Sequence, residues 1–270
     1  MRGDSLLRLR DLAPFFERAG RAGPSRRALL LDYDGTIAPF AAHRDLATPY
    51  PGMRSLLRSI ACGASPTRVA IVSGRPLDAL RRLSALDGVV ELWGSHGLER
   101  LTRAGRRFSD GAPPGSSRFL EEVGDAWAAA GWESVVERKP FGIAIHRRGA
   151  EPAIYEAARR DLVERWLPPA EGVGLRLLAF DGGLELRPAG SDKGAAVRRT
   201  HRELGEDAVV AYLGDDATDE DAFRELDGPG LGVLVRDAPR ETKAGAWIRA
   251  PEELFEFLRD WNAACSVGAS

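Results

Sequence analysis

The chain has little cysteine and no long apolar run, and each shortage excludes a class of protein. Its two cysteines, Cys62 and Cys265, have no cysteine or histidine neighbours at the spacing of a metal site, so neither a disulfide framework nor a zinc site is expected. No apolar run approaches the ~18 residues of a membrane span, and charged residues interrupt the N-terminal segment where a signal peptide is apolar. We therefore expect a cytoplasmic protein with no membrane partner.

An excess of positive charge is also missing. The chain has 270 residues, and its 38 Lys and Arg residues are balanced by 40 Asp and Glu residues. Such a balance is not typical of proteins that bind nucleic acid, so no nucleic-acid partner is expected. Hydrophobic residues at 44% and charged residues at 29% are close to the globular average, and the length allows two domains.

Most of the chain alternates between short apolar runs and segments with helical spacing. The apolar runs predict strands at 28–32, 68–72, 89–93, 208–213 and 232–235. The other segments predict helices at 53–60, at 77–86, from 193 onward and at 220–226. Strands that alternate with helices are typical of a parallel sheet covered on both faces. The sequence therefore predicts a Rossmann-like α/β core, formed by residues 25–110 and 188–270.

Residues 111–187 follow a different pattern. A helix followed by a hairpin is predicted twice, at 119–130, 132–138, 142–147, 151–166, 175–180 and 184–187. This repeat predicts a small α+β cap domain of αββαββ type, inserted into the core. Residues 1–24 are predicted to form an N-terminal helical extension.

Two carboxylates follow the first predicted strand. Asp32 and Asp34 lie in the turn Asp-Tyr-Asp-Gly-Thr, at the strand end where open α/β sheets bind ligands. Such a pair can hold a divalent cation while one carboxylate attacks a phosphorus atom. The alternative is an ordinary Asp-Gly turn with a capping aspartate.

A second acidic cluster follows the predicted strand at 208–213. Asp215 and Asp216 come soon after this strand, and Asp219 follows them. Acidic clusters at two strand ends can converge on one cation, and Mg²⁺ needs only one or two carboxylates together with water and phosphate oxygens. Helix capping explains the acidic residues after Asp219, but not the two aspartates before it.

A serine and a rare lysine lie between the two clusters in sequence. Ser73 follows the second predicted strand, and Lys193 opens a predicted helix. A strand-end hydroxyl and amide can bind a phosphate whose charge a lysine balances, whereas the simpler interpretations are a turn serine and a solvated lysine. Lysine occurs only at Lys139, Lys193 and Lys243. Two of these, Lys139 and Lys193, lie in candidate motifs, which indicates that a compact ammonium group is needed there and a planar guanidinium would not fit.

In their order along the chain, these residues resemble the four motifs of the haloacid dehalogenase superfamily of phosphotransferases. More narrowly, the chain resembles the trehalose-6-phosphate phosphatases over roughly residues 25–260. The narrower likeness is carried by Ser-Gly-Arg75, Gly-Ser-His-Gly-Leu-Glu99, Val-Glu-Arg-Lys139, Glu185-Leu-Arg-Pro and the segment Gly-Asp-Asp-Ala-Thr-Asp219.

The resemblance implies roles for the acidic residues of the core. Asp32 is implied as the nucleophile that forms an aspartyl-phosphate, and Asp34 as the general acid and then the general base. The implied cofactor is Mg²⁺, held by Asp32, by the backbone carbonyl of Asp34, and by Asp215. Asp216 and Asp219 are implied to support this metal site.

The resemblance also implies how the substrate is bound. Ser73 and Lys193 are implied to hold the phosphoryl group. Sugar contacts are implied for residues of both predicted domains, namely Arg75, His96, Glu137, Lys139 and Glu185. Alternatives stay open for three of them. His96 can instead make hydrogen bonds within its own loop, and Glu137 and Glu185 can instead be paired on a solvated strand face.

The sequence thus predicts a Mg²⁺-dependent phosphatase that converts the small sugar phosphate trehalose 6-phosphate to trehalose and phosphate. A related capped phosphatase, acting on sucrose phosphate or a glycosyl-phosphoglycerate, is the nearest alternative, and a mutase is a second. A catalytically silent regulatory subunit is a third, although Asp32, Asp34, Lys193 and Asp215 are all present. No oligomeric state is predicted.

Overall fold

The computed structural model of the protein describes residues 6–41, 44–147, 149–180, 182–226 and 228–267. The chain divides into two units. The described residues up to Phe108 and from Asp192 onward form the core unit, and Ser109–Ser191 form the cap unit. The cap was predicted to span residues 111–187, and the cap unit of the structure spans residues 109–191.

Strands and helices alternate along the described chain. The strands are β1 (Arg27–Asp32), β2 (Arg68–Val72), β3 (Glu91–Gly94), β4 (Glu99–Leu101), β5 (Arg107–Ser109), β6 (Val136–Lys139), β7 (Gly142–His146), β8 (Leu175–Phe180), β9 (Gly183–Pro188), β10 (Val209–Gly214), β11 (Leu231–Val235) and β12 (Ala246–Ile248). The helices are α1 (Ala13–Ala22), α2 (Met53–Cys62), α3 (Leu77–Ser84), α4 (Ser116–Ala129), α5 (Pro152–Asp161), α6 (Leu167–Gly172), α7 (Gly194–Leu204), α8 (Glu220–Arg224) and α9 (Glu252–Val267).

The core unit contains an eight-stranded sheet in the order β12-β11-β10-β1-β2-β3-β4-β5. Neighbouring strands from β12 to β3 are parallel, and β4 is antiparallel to β3. Along the central strand β1, Leu29 and Leu31 pack on one face, and Ala28 and Leu30 pack on the other. Because both faces are covered, every residue of β1 is buried, as its continuous apolar run requires. The predicted α/β core is confirmed.

Helices cover both faces of this sheet. Side chains of α1, α2, α3 and α9 pack on one face, and those of α7 and α8 pack on the other. The helix α1 packs against α9, where the ring centroids of Phe16 and Phe257 lie 5.1 Å apart. The N-terminal helix is therefore part of the core unit. Within the described residues, no helix has the length and apolar character needed to cross a bilayer.

The cap unit has its own four-stranded antiparallel sheet, in the order β6-β7-β9-β8. Ile143 and Ile145 of β7 and Leu186 of β9 point to one face and pack with Trp127 of α4 and Tyr155 of α5. A helix thus precedes each of two hairpins, and the predicted αββαββ arrangement is confirmed.

Some elements differ from the sequence-based prediction. The strand β3 begins at Glu91 rather than 89, because the amides of Val89 and Val90 both donate to the carbonyl of Leu86 in a turn. The strands β4, β5 and β12 were not predicted. All three residues of β5 are exposed, so this strand lacks the alternation that would have revealed it.

A network of ion pairs joins the sheet to α7 around Glu203. Its carboxylate accepts hydrogen bonds from Arg68 of β2, Arg100 of β4 and Arg199 of α7. Burial alone raises the pKa of Glu203, but the hydrogen bonds from these arginines outweigh burial and lower it to about 2. The ionised carboxylate is therefore more stable in the folded chain than in the unfolded chain.

We expect Glu203 to stabilise the fold above its unfolded pKa of 4.5, and this contribution to be lost as pH falls toward about 2. Glu203→Gln should lower the free energy of unfolding at pH 7 by about 1–2 kcal/mol, after allowance for solvent screening. Urea unfolding at several pH values measures this, with the exposed Glu206→Gln as control. Equal losses at pH 7 and pH 3 would contradict the assignment.

Candidate active site

Adjacent strands of the core sheet bring the predicted core residues together. Asp32 ends β1 and is paired with Val72 at the end of β2, and β10 runs parallel to β1 on its other side. Ser73 and Asp215, which follow β2 and β10, therefore lie beside Asp32 at the carboxyl edge of the sheet. This edge is where open α/β sheets bind ligands.

The buried carboxylate of Asp32 is held by Lys193, the residue before α7. The Nζ atom of Lys193 lies 2.6 Å from Oδ1 of Asp32 and 2.8 Å from Oδ1 of Asp219. Burial raises the pKa of Asp32 to about 7, and the charge of Lys193 opposes this shift. Burial alone lowers the pKa of Lys193, but the charges of Asp219 and Asp32 outweigh burial and raise it. The ammonium group therefore stays charged.

Both carboxylate oxygens of Asp219 accept hydrogen bonds. Its Oδ1 also accepts a hydrogen bond from the Tyr212 hydroxyl at 2.7 Å, and its Oδ2 accepts from the backbone N of Asp215 and Asp216 at 3.0 and 2.9 Å. Together with Lys193, these donors occupy the lone pairs that a metal ligand would need. The geometry favours a supporting role for Asp219 over direct coordination.

Asp215 has a buried carboxylate oxygen, Oδ1, that receives no hydrogen bond from the described residues. Burial raises the pKa of Asp215 well above its ordinary range, and the charges of Asp32 and Asp219 add to the shift. Carboxylate oxygens of these three aspartates lie within 4.8 Å of one another. Because a divalent cation would stabilise the ionised carboxylates and contact Oδ1 of Asp215, the residues fit a hard cation such as Mg²⁺.

The turn after β1 approaches this cluster closely. Gly35 has a φ of +82°, and a Cβ atom at this position would lie 2.2 Å from Oδ2 of Asp215. Only glycine satisfies both the conformation and the contact. The turn that carries Asp34 therefore passes directly beside the carboxylate of Asp215.

The side chain of Asp34 is held by Arg75. Nε and Nη2 of Arg75 donate to the two carboxylate oxygens of Asp34 at 2.7 and 2.6 Å. The backbone N of Arg75 donates to Oγ of the buried Ser73 at 3.1 Å. Arg75, which was predicted to contact the sugar, is thus placed on the predicted general acid and base.

His96 lies in the turn after β3. Its φ is +54°, and a Cβ atom at Gly74 would lie only 2.4 Å from its Nε2 atom. Glu99 fixes the same turn, because it accepts hydrogen bonds from the hydroxyl of Ser95 at 2.8 Å and the backbone N of Leu77 at 3.0 Å. These contacts fix the turn that carries His96, and its predicted sugar contact stays a prediction.

Two arginines behind the second acidic cluster were missed by the sequence analysis. Arg236 donates to the carbonyl of Asp215 at 3.0 Å, and Arg240 donates to the carbonyl of Asp216 at 2.8 Å. The Asp216 carboxylate itself accepts from the backbone N of Ala217. No sequence motif identifies these two arginines, because they contact backbone carbonyls and every residue has a carbonyl.

One face of the cap sheet is polar. This polar cap face includes Glu137, Lys139, His146 and Glu185. Lys139 donates to Oε1 of Glu185 at 2.9 Å, and Nε2 of His146 lies 2.8 Å from Oε2 of Glu137. Glu137 and Glu185 lie in one row across the sheet, since both are paired with Ala144. The structure therefore brings the three predicted cap residues onto one face and adds His146.

A glycine makes room for the pair formed by Lys139 and Glu185. Gly142 is the register partner of Lys139, and a Cβ atom there would lie 3.2 Å from Oε1 of Glu185. The two charged side chains are only 11% and 6% exposed. A desolvated ammonium group beside fixed carboxylates offers both donors and acceptors to the hydroxyl groups of a sugar.

Comparisons with known proteins identify the family of the chain. The sequence model of the trehalose-phosphatase family matches residues 30–246. Two relatives from Oryza sativa subsp. japonica, named Probable trehalose-phosphate phosphatase 4 and 9, are 32% and 34% identical to this chain. Each match covers 92% of this chain, and the matches cover 69% and 73% of the two relatives.

A solved structure has the same fold. It is the C-terminal domain of C. albicans trehalose-6-phosphate phosphatase, with a TM-score of 0.75 at 22% identity, covering 94% of this chain and 96% of that one. At this identity the structural likeness supports the fold alone, whereas the family match and the relatives carry the assignment. The chain belongs to the trehalose-phosphatase family and is a phosphatase enzyme.

Proposed function

We propose that the protein hydrolyses trehalose 6-phosphate to trehalose and phosphate in a Mg²⁺-dependent reaction, the last step of trehalose biosynthesis. The observation that carries this proposal is the carboxylate of Asp32, buried at the end of β1 and held 2.6 Å from the ammonium group of Lys193. A fixed, charge-balanced carboxylate at a ligand-binding sheet edge suits a nucleophile in covalent phosphoryl transfer. The sugar of the substrate is proposed from the names of the relatives, which are called trehalose-phosphate phosphatases.

Asp32, Asp215 and the backbone carbonyl of Asp34 would hold Mg²⁺. Support comes from the buried Oδ1 of Asp215, which receives no hydrogen bond from the described residues. When bound, Mg²⁺ supplies positive charge that stabilises the phosphoryl oxygens in the transition state. Asp219 keeps the backbone of the Asp215 loop and the Lys193 ammonium group in place.

The proposed reaction consists of two displacements at phosphorus. In the first, a carboxylate oxygen of Asp32 bonds to phosphorus as the bond to the sugar oxygen breaks, and Asp34 donates a proton to that oxygen. In the second, a water oxygen attacks phosphorus, Asp34 accepts a proton from this water, and the bond between Asp32 and phosphorus breaks. Phosphate leaves, and both aspartates return to their starting states.

The remaining core residues position these groups. Because Oγ of Ser73 accepts its hydrogen bond from the backbone N of Arg75, its own proton can be donated to a phosphoryl oxygen. The two hydrogen bonds from the Arg75 side chain fix the orientation of the Asp34 carboxylate. Lys193 balances the charge of the phosphoryl group beside Asp32.

A phosphate-release assay over a panel of sugar phosphates tests the proposal. We expect the highest kcat/KM with trehalose 6-phosphate, complete loss of turnover in excess chelator, and recovery when Mg²⁺ is added. Faster release from sucrose phosphate or a glycosyl-phosphoglycerate would favour a related sugar phosphatase. No release from any substrate would favour a silent regulatory subunit, and full activity in chelator would refute the role of the metal.

Lys139→Ala should separate sugar recognition from chemistry. Without its ammonium group, the buried Glu185 loses a partner and the sugar loses a donor, whereas a small aryl phosphate makes no use of either. A hydroxyl-binding group left unpaired costs ~1–3 kcal/mol, or roughly ten- to a hundredfold in kcat/KM. We therefore expect this loss with trehalose 6-phosphate and little change with an aryl phosphate.

Arg138→Ala is the matched control for this variant. Arg138 is the neighbouring residue of the same strand, but its guanidinium pairs with Asp125 of α4. This control should leave both substrates nearly unaffected. Equal losses for the sugar and aryl substrates in the Lys139 variant would mean that Lys139 is structural, and the trehalose assignment would lose its support from the cap.

A further inference from the structure

The loop of residues 214–219, here the acidic loop, is held by two arginines through its backbone carbonyls. The carbonyl of Asp215 accepts a hydrogen bond from Arg236 at 3.0 Å, and the next carbonyl, of Asp216, accepts one from Arg240 at 2.8 Å. Both contacts are made to main-chain oxygens. These two bonds therefore fix the backbone of the loop and use no carboxylate oxygen.

The backbone of Arg236 is itself fixed by the edge strand β12. Its N donates to the carbonyl of Ile248 at 3.0 Å, and its carbonyl accepts from Nε1 of Trp247 at 2.8 Å. The guanidinium of Arg236 thus extends to the acidic loop from a residue whose main chain is bonded in both directions. The position of Trp247 determines one of these two bonds.

Residues near the N-terminus hold Trp247 in place. Leu7 and Arg8, here the N-terminal strap, extend the sheet past β12, because the carbonyl of Leu7 accepts from the backbone N of Trp247 at 2.9 Å. The guanidinium carbon of Arg8 lies 4.1 Å from the centroid of the Trp247 ring, and its Nη2 atom lies 3.0 Å from Oε1 of Glu253. A cation over the indole and an anchored main chain both restrain the ring.

We infer that Arg236 is a positioning residue for Asp215, and that the N-terminal strap stabilises its position through Trp247. The contacts form one continuous series from Arg8 to Trp247, Arg236 and the carbonyl of Asp215. The strap lies outside residues 30–246, the part of the chain that matches the family. This inference deepens the proposed function and rests on it, because it concerns a cation bound by Asp215.

The expected size of the effect follows from the other supports of the loop. When Arg236 is removed, Asp219 still holds the backbone N of Asp215 and Asp216, and Arg240 still holds the carbonyl of Asp216. Groups that orient metal ligands typically change metal affinity ~10–100-fold. The lower end of that range applies here, since the substitution leaves the ligands and the contacts of Asp219 and Arg240 intact.

Binding of Mn²⁺ to the full chain without substrate, measured by electron paramagnetic resonance, tests the inference apart from activity. Arg236→Gln should weaken Mn²⁺ binding roughly tenfold. Trp247→Phe, which keeps a ring beneath Arg8 but removes the N–H donor, should weaken it roughly threefold. The control is Arg21→Gln, an arginine of α1 that pairs with Glu17, and its Mn²⁺ affinity should be unchanged.

Melting temperatures without metal separate positioning from a general loss of stability. A folded Arg236→Gln protein that binds Mn²⁺ as tightly as the wild type would overturn the inference, and so would a lowered melting temperature with unchanged affinity. If Arg236→Gln does not fold, the Mn²⁺ affinity and the melting temperature of Trp247→Phe test the inference in the same way. Absence of Mn²⁺ binding by the wild type would instead refute the proposed metal role, and this inference with it.

Discussion

Asp32→Asn should abolish phosphate release from trehalose 6-phosphate while leaving the protein folded. The amide is nearly the same size as the carboxylate, and its oxygen can still accept the hydrogen bond from Lys193, which in the wild type is 2.6 Å long. It is a far poorer nucleophile, and loss of a covalent nucleophile costs at least ~10⁴-fold in kcat. Steady-state phosphate release from the purified variant, with saturating Mg²⁺, measures the effect.

Stability is the second readout for this variant. Because burial raises the pKa of Asp32 to about 7, the ionised carboxylate is costly to keep in the fold, and its neutral replacement should melt at the same or a higher temperature. Asp78→Asn, on the exposed start of α3, is a control that should keep full activity. Phosphate release within tenfold of the wild type would refute the covalent mechanism, whatever the melting temperature.

The sequence predicted the parallel centre of the core sheet because β1, β2, β3, β10 and β11 are apolar runs of strand length. Asp32 and Asp215 come at the ends of two such runs, and parallel strands end at a common edge, so the sequence indicated that the two aspartates can converge; that β1 and β10 are neighbours is shown by the structure. The exposed strand β5 could not be predicted in this way. A strand buried on neither face leaves no hydrophobic period in the sequence.

The partners of the site residues were harder to predict than their identities. Lys193 contacts Asp32 across 161 residues of sequence, and Arg75 binds both oxygens of Asp34 across 41. A motif indicates that a lysine or an arginine is present, but the side chain that it reaches depends on the packing of distant elements. Arg75 was therefore predicted to contact the substrate, whereas in the structure it is bonded to Asp34.

Backbone contacts were beyond sequence reasoning altogether. Arg236 supports the acidic loop through a carbonyl, and every residue has a carbonyl, so nothing in the sequence distinguishes this arginine from the many others. The pairing of Lys139 with Glu185 is a side-chain contact, but it joins residues 46 positions apart in the sequence that no motif links. The cap residues could therefore be named from a resemblance, whereas their pairing could not be predicted.

Lys193→Met should lose both activity and stability, and the two losses have different causes. Methionine has similar length and no charge, so the phosphoryl group loses the cation that balances it, at a cost of roughly 10³-fold or more in kcat. Asp32 and Asp219 also lose their shared partner in a buried site, where all three side chains are at most 4% exposed. Breaking a buried ion pair from one side destabilises a protein by about 3–5 kcal/mol.

The double variant Lys193→Met with Asp32→Asn distinguishes these causes. It removes one of the two carboxylates left without the ammonium group, so urea unfolding should show that part of the lost stability is restored, while activity stays absent. Lys193→Arg should not restore activity, because a planar guanidinium does not fit between carboxylates whose oxygens lie 2.6 and 2.8 Å from a single nitrogen. If the double variant were no more stable than Lys193→Met alone, the charge of Asp32 would not be what Lys193 balances, and the position of this lysine would have to be explained through Asp219.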